Sequence, residues 1–374
     1  MKRRAALVVG LCVLFLSPGC SRKESGGGVA ETRTVGETRT VIDQMGNEVV
    51  LPAKVERVVI ASVWPLASVY CLYMGSTEKL VGLDPAIISA AENSALIKVF
   101  PDIVTIPSHF SQNGAINGEE LLKLKPDVVL YSSGAAEDYD VCKQIGVPAV
   151  GFSLSIKQYN AIDTINSWIE LLGQVMQREF DTTEFMKYSK DLEAMVAGRL
   201  QNVPDSERPK AMFIHLYDAS RIAVPAGASW AHYWITAGGG INVAAQAGDG
   251  TLSANMEQIY QWNPEKIFIT NFNPGQPEDL YNNTIGNYDW SNVSAVKSRE
   301  VRKMPLGMYR WYVCNADSPL TLLWMAKENH PSLFADIDVD GEIKSYYRRF
   351  YKLELSDEDL NQIYHPSSEA AGGI

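Results

Sequence analysis

The chain has 374 residues, of which 46% are hydrophobic and 21% charged, and its formal net charge at pH 7 is −11. This length allows two or three domains, and the composition is that of a globular protein with a sizeable core. The negative charge argues against a nucleic-acid partner, because such partners require a basic surface. It places little limit on small ligands.

The N-terminal residues predict an export signal. Residues 2–4 are basic, residues 5–16 form an apolar run too short for a comfortable membrane span, and a small residue precedes Cys20. This arrangement resembles the bacterial lipoprotein signal, in which such a cysteine carries the lipid. We therefore expect residues 1–19 to be removed and the protein to be lipid-anchored through Cys20, extracytoplasmically, at the cell surface or in the periplasm. An ordinary secretory signal cleaved nearby is the alternative.

The segment after the signal is polar and rich in small residues. Residues 20–40 carry almost no large apolar side chain, which is typical of a flexible tether. The cysteines farther along the chain are Cys71, Cys142 and Cys314. Their wide spacing predicts neither a disulfide framework nor a CxxC metal site, although one disulfide stays open in an oxidising compartment.

Short apolar runs alternate with helical patterns from residue 41 onward. Such alternation is typical of parallel sheets with helices on both faces. Strands are predicted at residues 55–61, 79–83, 127–131, 147–152, 210–216 and 266–270. Helices are predicted at residues 64–74, 119–124, 137–145, 230–237, 256–261, 317–328, 341–350 and 356–364.

A long helix is predicted near the middle of the chain. Apolar side chains recur at steps of three and four over residues 178–202, which would reach roughly 37 Å as one helix. An amphipathic helix over residues 157–172 precedes it, and Gly173 is expected to separate the two. The predicted divisions are an N-terminal lobe, connecting helices and a C-terminal lobe, at residues 41–156, 157–203 and 204–374.

The two lobes repeat one local pattern. Residues 116–134 read INGEELLKLKPDVVLYSSG, and residues 255–273 read NMEQIYQWNPEKIFITNFN. Each segment contains a helix, a proline, a buried strand and a loop, with an acidic residue near the start of the helix. Two α/β lobes joined through a helix have the geometry of a cleft protein.

Several motifs, taken in order, resemble one family. Residues 43–61 are similar to the family's opening hairpin and first strand, and residues 80–82 to its L-V-G strand. Residues 124–127 and 262–264 resemble the proline motifs that precede a strand in each lobe, and residues 307–338 resemble a form found in siderophore- and metal-chelate-binding members. Over about residues 41–364, the chain thus resembles the class III periplasmic substrate-binding proteins of ABC transporters, which bind ferric siderophores, haem, cobalamin and related chelates.

The resemblance implies an α/β fold of two Rossmann-like lobes bridged by a single long α-helix, with limited hinge motion. It implies a protein, expected to be monomeric and without a cofactor, that delivers a metal chelate to the permease dimer of an ABC importer. In the family, one glutamate on each lobe pairs with an arginine pocket of the permease, and the matching positions are Glu119 and Glu257. Glu120 is the alternative in the first lobe, and the helix dipole alone would also explain these acids.

Loops at the carboxyl ends of parallel strands are expected to line the cleft. Aromatic side chains there would give rigid contact to a flat ligand, and Arg310 would pair with anionic oxygens. Core packing is the alternative role for each of these residues. The predicted ligand-binding residues are Trp64, Tyr131, Ser132, Tyr217, Trp230, His232, Arg310, Trp311 and Tyr312.

Other chemistries have weaker support. No metal site is predicted, because the histidines are scattered; His109, His215 and His232 would form one only if the fold brought them together. A single histidine could still bind haem iron or the cobalt of cobalamin, and these are the alternative ligands. Neither a nucleophile elbow nor a P-loop occurs, so a lipid-anchored hydrolase is a distant alternative.

Overall fold

The computed structural model describes residues 37–112, 114–178 and 182–371. The predicted signal, Cys20 and most of the predicted tether lie outside these residues. The folded region begins before residue 41, because strand β1 (Thr38–Ile42) pairs antiparallel with β2 (Glu48–Pro52). In the described part of the chain, no helix is both long and apolar enough to cross a membrane.

The N-terminal lobe is built on a parallel four-stranded sheet. Its elements are β3 (Val58–Ile60), α1 (Leu66–Met74), β4 (Leu80–Leu83), α2 (Pro85–Glu92), α3 (Leu96–Val99), β5 (Ser111–Gln112), β6 (Ala115–Ile116), α4 (Gly118–Lys123), β7 (Val128–Ser132), α5 (Ala136–Ile145) and β8 (Ala149–Phe152). The strand order is β4-β3-β7-β8, with β5 and β6 forming a separate hairpin. This confirms the predicted parallel sheet.

The C-terminal lobe repeats this topology. Its elements are β9 (Lys210–Ile214), β10 (Leu216–Tyr217), β11 (Ile222–Pro225), α8 (Trp230–Ala237), β12 (Ile241–Asn242), β13 (Thr251–Ala254), α9 (Met256–Trp262), β14 (Lys266–Ile269), α10 (Pro277–Tyr281), α11 (Ser294–Lys297) and β15 (Val301–Lys303). The parallel order is β12-β9-β14-β15, so the second strand in sequence lies at the edge beside the first, as in the other lobe. Strands β10, β11 and β13 form an additional antiparallel sheet that the sequence did not predict.

Alternate residues of the strands face different cores. Val58 and Ile60 of β3 and Phe213 of β9 belong to one continuous central core, whereas their neighbours Val59 and Met212 face separate outer cores. This follows from the two-residue period of a strand. Because the central core takes one face of each sheet, wide opening of the lobes would expose it to water. The shared core therefore favours limited hinge motion.

The long connecting helix is shorter than predicted. Helix α7 covers Thr183–Leu200, 18 residues, rather than residues 178–202. Residues 179–181 lie outside the described part of the chain. At 1.5 Å per residue, α7 is about 27 Å long, and its buried side chains follow the predicted stripe.

The preceding helix does not end at Gly173. Helix α6 covers Ala161–Met176 and ends at Gln177, whose left-handed φ of 47° closes the last turn. A glycine inside a helix costs only about 1 kcal/mol relative to alanine, and burial of side chains such as Trp168 in the central core offsets this cost. The connection between the two lobes thus consists of α6 followed by α7, and the two-lobed α/β fold is confirmed.

The C-terminal helices pack back onto the connecting helices. Helix α12 (Ser318–Asn329) contacts α6, α7 and α8, and it is followed by α13 (Val339–Tyr351) and α14 (Asp357–Tyr364). Phe185 of α7 packs edge-on against Tyr346 and Phe350 of α13, with ring centroids 6.5 and 5.5 Å apart. The chain after β15 therefore fixes the connecting helices in place.

Candidate ligand-binding cleft

The two parallel sheets direct several side chains to their carboxyl edges. Trp64 follows β3, His215 follows β9, and Asn271 and Phe272 follow β14. In open α/β sheets, ligands bind beyond the carboxyl ends of the strands. This edge of the two lobes is the candidate binding cleft.

Three rings cluster at this edge of the C-terminal lobe, those of His215, Phe272 and Tyr312, and together they are called the aromatic wall. The ring of Tyr312 lies 5.4 Å from that of His215 and 6.1 Å from that of Phe272, and His215 lies 5.4 Å from Phe272. Burial, with a smaller contribution from Arg221, lowers the pKa of His215 to about 4. His215 is therefore neutral at pH 7. Its Nδ1 atom is buried and has no hydrogen-bond partner among the described residues.

Arg310 lies against this aromatic wall. Its guanidinium stacks over the ring of Phe272 at 4.9 Å from the centroid, and one of its nitrogens donates to the carbonyl oxygen of Ala370 at 3.1 Å. The side chain is fully buried. The guanidinium group therefore lies beside the aromatic surface in the geometry of a cation–π contact.

Lys303 holds the loop that carries Asn271 and Phe272. Its buried ammonium donates to three backbone carbonyl oxygens, those of Thr270, Asn273 and Gly275, at 3.0, 2.7 and 2.7 Å. Burial lowers the pKa of Lys303 to about 7. The side chain of Lys303 therefore holds the backbone of this loop in place from the side of the protein interior.

Asp317 anchors the loop that carries Arg310 and Tyr312. Its Oδ2 atom accepts three hydrogen bonds, from Met308 N at 2.6 Å, Trp311 Nε1 at 3.0 Å and Tyr347 Oη at 2.9 Å. Burial raises the pKa of Asp317 to about 6, although these three donors favour its ionised form. Asp317 thus holds Trp311 in the central core.

Replacing Asp317 by Asn should change how stability depends on pH. Because the pKa of Asp317 is about 6 in the folded protein and ordinarily 3.8, the folded protein keeps a proton that the unfolded chain has already released. Protonated Asp317 therefore adds about 2–3 kcal/mol to the free energy of unfolding below about pH 4. This stabilisation is lost as the pH rises to about 6. Urea unfolding of both proteins between about pH 4 and 7 measures the difference. A constant difference across this range would contradict the assignment.

Three further predicted residues lie near the carboxyl edges. Trp64 is half-buried, and its Nε1 atom is buried without an acceptor among the described residues. The backbone N–H of Ser132 donates to Ser62 Oγ at 3.0 Å, which ties the end of β7 to the loop after β3. Trp230 packs edge-on against Tyr159, with ring centroids 5.4 Å apart.

His232 lies in the first turn of α8, where its backbone N–H donates to the side chain of Ser229 at 3.2 Å. Its Nδ1 atom is buried and has no partner in the part of the chain that the structure describes. Among those same residues, no group of three His, Cys, Asp or Glu side chains could hold a metal ion. His109 lies 3.6 Å from Glu120, and His109, His215 and His232 do not form such a group among the described residues.

The structure places two predicted cleft residues in the outer cores. Tyr131 stacks on Tyr139 with centroids 5.9 Å apart, and the hydroxyl of Tyr217 accepts a hydrogen bond from Trp290 Nε1 at 2.9 Å. Tyr131 shares the outward face of β7 with Val129, and Tyr217 belongs to β10 instead of following β9. Sequence reasoning extended β9 to residue 216 and so missed His215 as the first residue beyond the strand. The apolar run of the sequence ends at Ile214, directly before His215, and this was the available signal for the end of β9.

Glu119 and Glu257 are both exposed at the second position of a short helix, α4 and α9 respectively. Neither carboxylate forms an ion pair with a described residue. Glu120, by contrast, is paired with Lys123 at 2.5 Å. Glu119 is therefore the carboxylate of α4 that remains available to a partner.

The three cysteines of the folded region are buried and free. Burial raises the pKa of Cys71 and of Cys142 to about 12. They pack as small apolar side chains.

Comparison with known proteins identifies the family. The chain matches the family described as periplasmic binding protein over residues 69–306. It is 24% identical over 344 residues to the molybdate-binding protein MolA of Haemophilus influenzae, covering 86% of this chain and 93% of that protein.

Solved structures agree. A periplasmic solute-binding protein of Veillonella parvula superposes with a TM-score of 0.77 at 30% identity, covering 88% of this chain and 97% of that one. A nickel–histidine complex of CeuE from Helicobacter pylori superposes with a TM-score of 0.68 at 21% identity, covering 88% of this chain and 100% of that one. The chain therefore belongs to the class III periplasmic binding proteins, the substrate-binding components of ABC importers, which are transport proteins and not enzymes.

Proposed function

We propose that this protein captures an anionic metal chelate of the ferric siderophore type in the cleft between its lobes and delivers it to a membrane permease. Arg310 supplies a positive charge to one side of the cleft. Tyr312, Phe272 and Trp230 supply aromatic surface on which the organic part of a chelate can pack.

The buried indole N–H of Trp64 is the observation that carries this proposal. Buried donors are nearly always hydrogen-bonded, and an unsatisfied one costs about 1–3 kcal/mol. Trp64 Nε1 has no acceptor among the described residues, and it lies in the first lobe at the carboxyl edge of the sheet. A ligand with acceptor oxygens would satisfy this donor while pairing with Arg310 of the second lobe.

An inorganic oxyanion is the second candidate ligand. The relative from Haemophilus influenzae that matches 86% of this chain is named as a molybdate-binding protein. A tetrahedral oxyanion also presents acceptor oxygens to Arg310 and Trp64, but it would leave the aromatic wall without a partner. Haem and cobalamin remain the alternative chelates.

The absorbance spectrum and metal content of the purified protein test the ligand class. A broad visible charge-transfer band with bound iron would support a siderophore, whereas a Soret band would indicate haem and a corrin spectrum cobalamin. Native mass spectrometry with ferric siderophores and molybdate follows if the protein is colourless. Binding of molybdate without binding of any chelate would replace the first proposal by the second.

Replacing Trp64 by Phe should weaken ligand binding about tenfold, because it removes one hydrogen bond to a charged acceptor and keeps most of the ring. Isothermal titration with the identified ligand measures the change. Trp262→Phe is the matched control, since Trp262 is half-buried against the outer core of the second lobe. If the Trp64 variant and the wild type bind the ligand with equal affinity, Trp64 does not form a hydrogen bond to the ligand.

We also propose that Cys20 carries the lipid anchor and that Glu119 and Glu257 contact the permease. The anchor would keep the protein close to the permease while the tether lets it move. Mass spectrometry of the N-terminal peptide from the membrane fraction tests the anchor. A free thiol at Cys20, or cleavage at another residue, would exclude it.

A further inference from the structure

The helices that carry Glu119 and Glu257 start in the same way. Asn117 precedes α4, and its side-chain oxygen accepts a hydrogen bond from Glu119 N at 3.0 Å. Asn255 precedes α9, and its side-chain oxygen accepts from Gln258 N at 2.9 Å. Each glutamate is therefore the second residue of a helix that an asparagine caps.

A left-handed residue and a proline follow each of the two helices. Lys125 and Asn263 have left-handed φ angles of 47° and 40°, and each stands directly before a proline. Each glutamate lies nine residues before the first residue of the following parallel strand, β7 or β14. The capping asparagine, the glutamate, the left-handed residue and the start of the strand are separated by the same numbers of residues in both lobes. Equivalent positions in α4 and α9 therefore lie at equivalent places in the two lobes.

The fifth residue of each helix is a large exposed apolar side chain. Leu122 in α4 is 46% exposed, and Tyr260 in α9 is 40% exposed. The fourth residues, Leu121 and Ile259, are fully buried and anchor the helices to the outer cores. The exposed side chains are therefore not needed to fill these cores.

Each exposed apolar residue shares a helix face with a glutamate. Leu122 follows Glu119 by three residues, and Tyr260 follows Glu257 by three, a spacing that makes side chains neighbours on a helix surface. The hydroxyl of Tyr260 donates to the carbonyl oxygen of Asp289 at 2.6 Å, which holds its ring in place. Both lobes thus present a carboxylate next to an apolar side chain.

We propose that Leu122 and Tyr260 are the apolar half of the surface that docks on the permease, an inference that rests on the proposed docking role of Glu119 and Glu257. The partner is a permease dimer whose two equivalent sites each offer a cationic side chain beside an apolar depression. Two matching acid–apolar pairs on a two-lobed protein suit two such sites. Apolar contacts around a charged pair exclude water, which strengthens the pair and slows dissociation.

Kinetics of binding to the permease test this proposal. The purified full-length protein, without added ligand, is bound to its permease in lipid nanodiscs, and association and dissociation rates are measured at several salt concentrations. Leu122→Gln with Tyr260→Gln should raise the dissociation rate at least about tenfold, with little change in the association rate or its salt dependence. Glu119→Ala with Glu257→Ala should instead slow association and flatten its salt dependence.

Controls separate this proposal from the docking role itself. Leu333 is 42% exposed and lies outside α4 and α9. Leu333→Gln should therefore leave the association and dissociation rates unchanged. Tyr260→Phe keeps the ring and should retain slow dissociation. Normal dissociation of the Leu122 and Tyr260 double variant, together with weak binding of the glutamate variant, would overturn the inference and leave the docking role intact. Normal binding by both double variants would overturn the two together.

Discussion

Replacing both Glu119 and Glu257 by alanine should reduce uptake of the ligand at least about 100-fold, while ligand affinity stays within about twofold of the wild type. Loss of one partner from a desolvated interfacial charge pair is costly, and the double variant loses one pair on each lobe. The two carboxylates are exposed and unpaired with described residues, so the fold does not depend on them. Uptake in cells and ligand titration of the purified protein measure the two effects separately.

Glu120→Ala is the matched control, because Glu120 lies next to Glu119 on α4 but is already paired with Lys123. Uptake by this variant should remain close to normal. Each single variant should show an intermediate loss, since one lobe would still dock. Normal uptake by the double variant would exclude these glutamates as the docking pair.

Much of the fold could be predicted because local patterns agreed with the global arrangement. The runs DVVLY and KIFIT each follow a helix and a proline, and they form β7 and β14 at the centres of equivalent sheets. The repeated spacing of Glu119 and Glu257 in the sequence corresponds to a repeated helix with the same cap. Such local patterns predict the structure correctly where the tertiary contacts favour the same helix or strand as the local sequence does.

Helix and strand ends could not be predicted as well. Gly173 reads as a helix stop, yet burial of one face of α6 carries the helix through it to Met176. The short strands β10, β11 and β13 lack a long enough apolar alternation to be recognised. Long-range packing, which the sequence does not display, decides these cases.

The side-chain directions at the cleft were the least predictable feature. Tyr131 ends the predicted strand DVVLY, as a cleft residue would, but it lies within β7, shares the outer face of that strand with Val129 and stacks on Tyr139. Trp311 and Tyr312 are adjacent in sequence, yet Asp317 holds the first in the core, while the second joins the aromatic wall. The hydrogen bond between Asp317 and Tyr347 spans 30 residues, and no local pattern reveals it.

Replacing Gly307 by alanine should destabilise the protein by at least about 3 kcal/mol and weaken ligand binding at least about tenfold. A Cβ atom at this position would lie 2.5 Å from Tyr347 Oη and 2.6 Å from Trp311 Nε1, and closer still to the carboxylate of Asp317. These are the groups that hold the loop bearing Arg310. The carbonyl oxygen of Gly307 also accepts a hydrogen bond from Ala95 N at 2.9 Å, so a shift of the loop would disturb its contact with the first lobe.

Gly198→Ala provides the control for this effect. Gly198 lies inside α7, and outside the backbone of its own helix no heavy atom of the described residues lies within 4 Å of where its Cβ would be. Alanine is the better helix former, so this change should be neutral or stabilising by up to about 1 kcal/mol. Urea unfolding and ligand titration of both variants compare the two sites. Equal stability of the two variants would mean that the loop can move away from a Cβ at Gly307 without loss, and that Asp317 does not fix the position of Arg310.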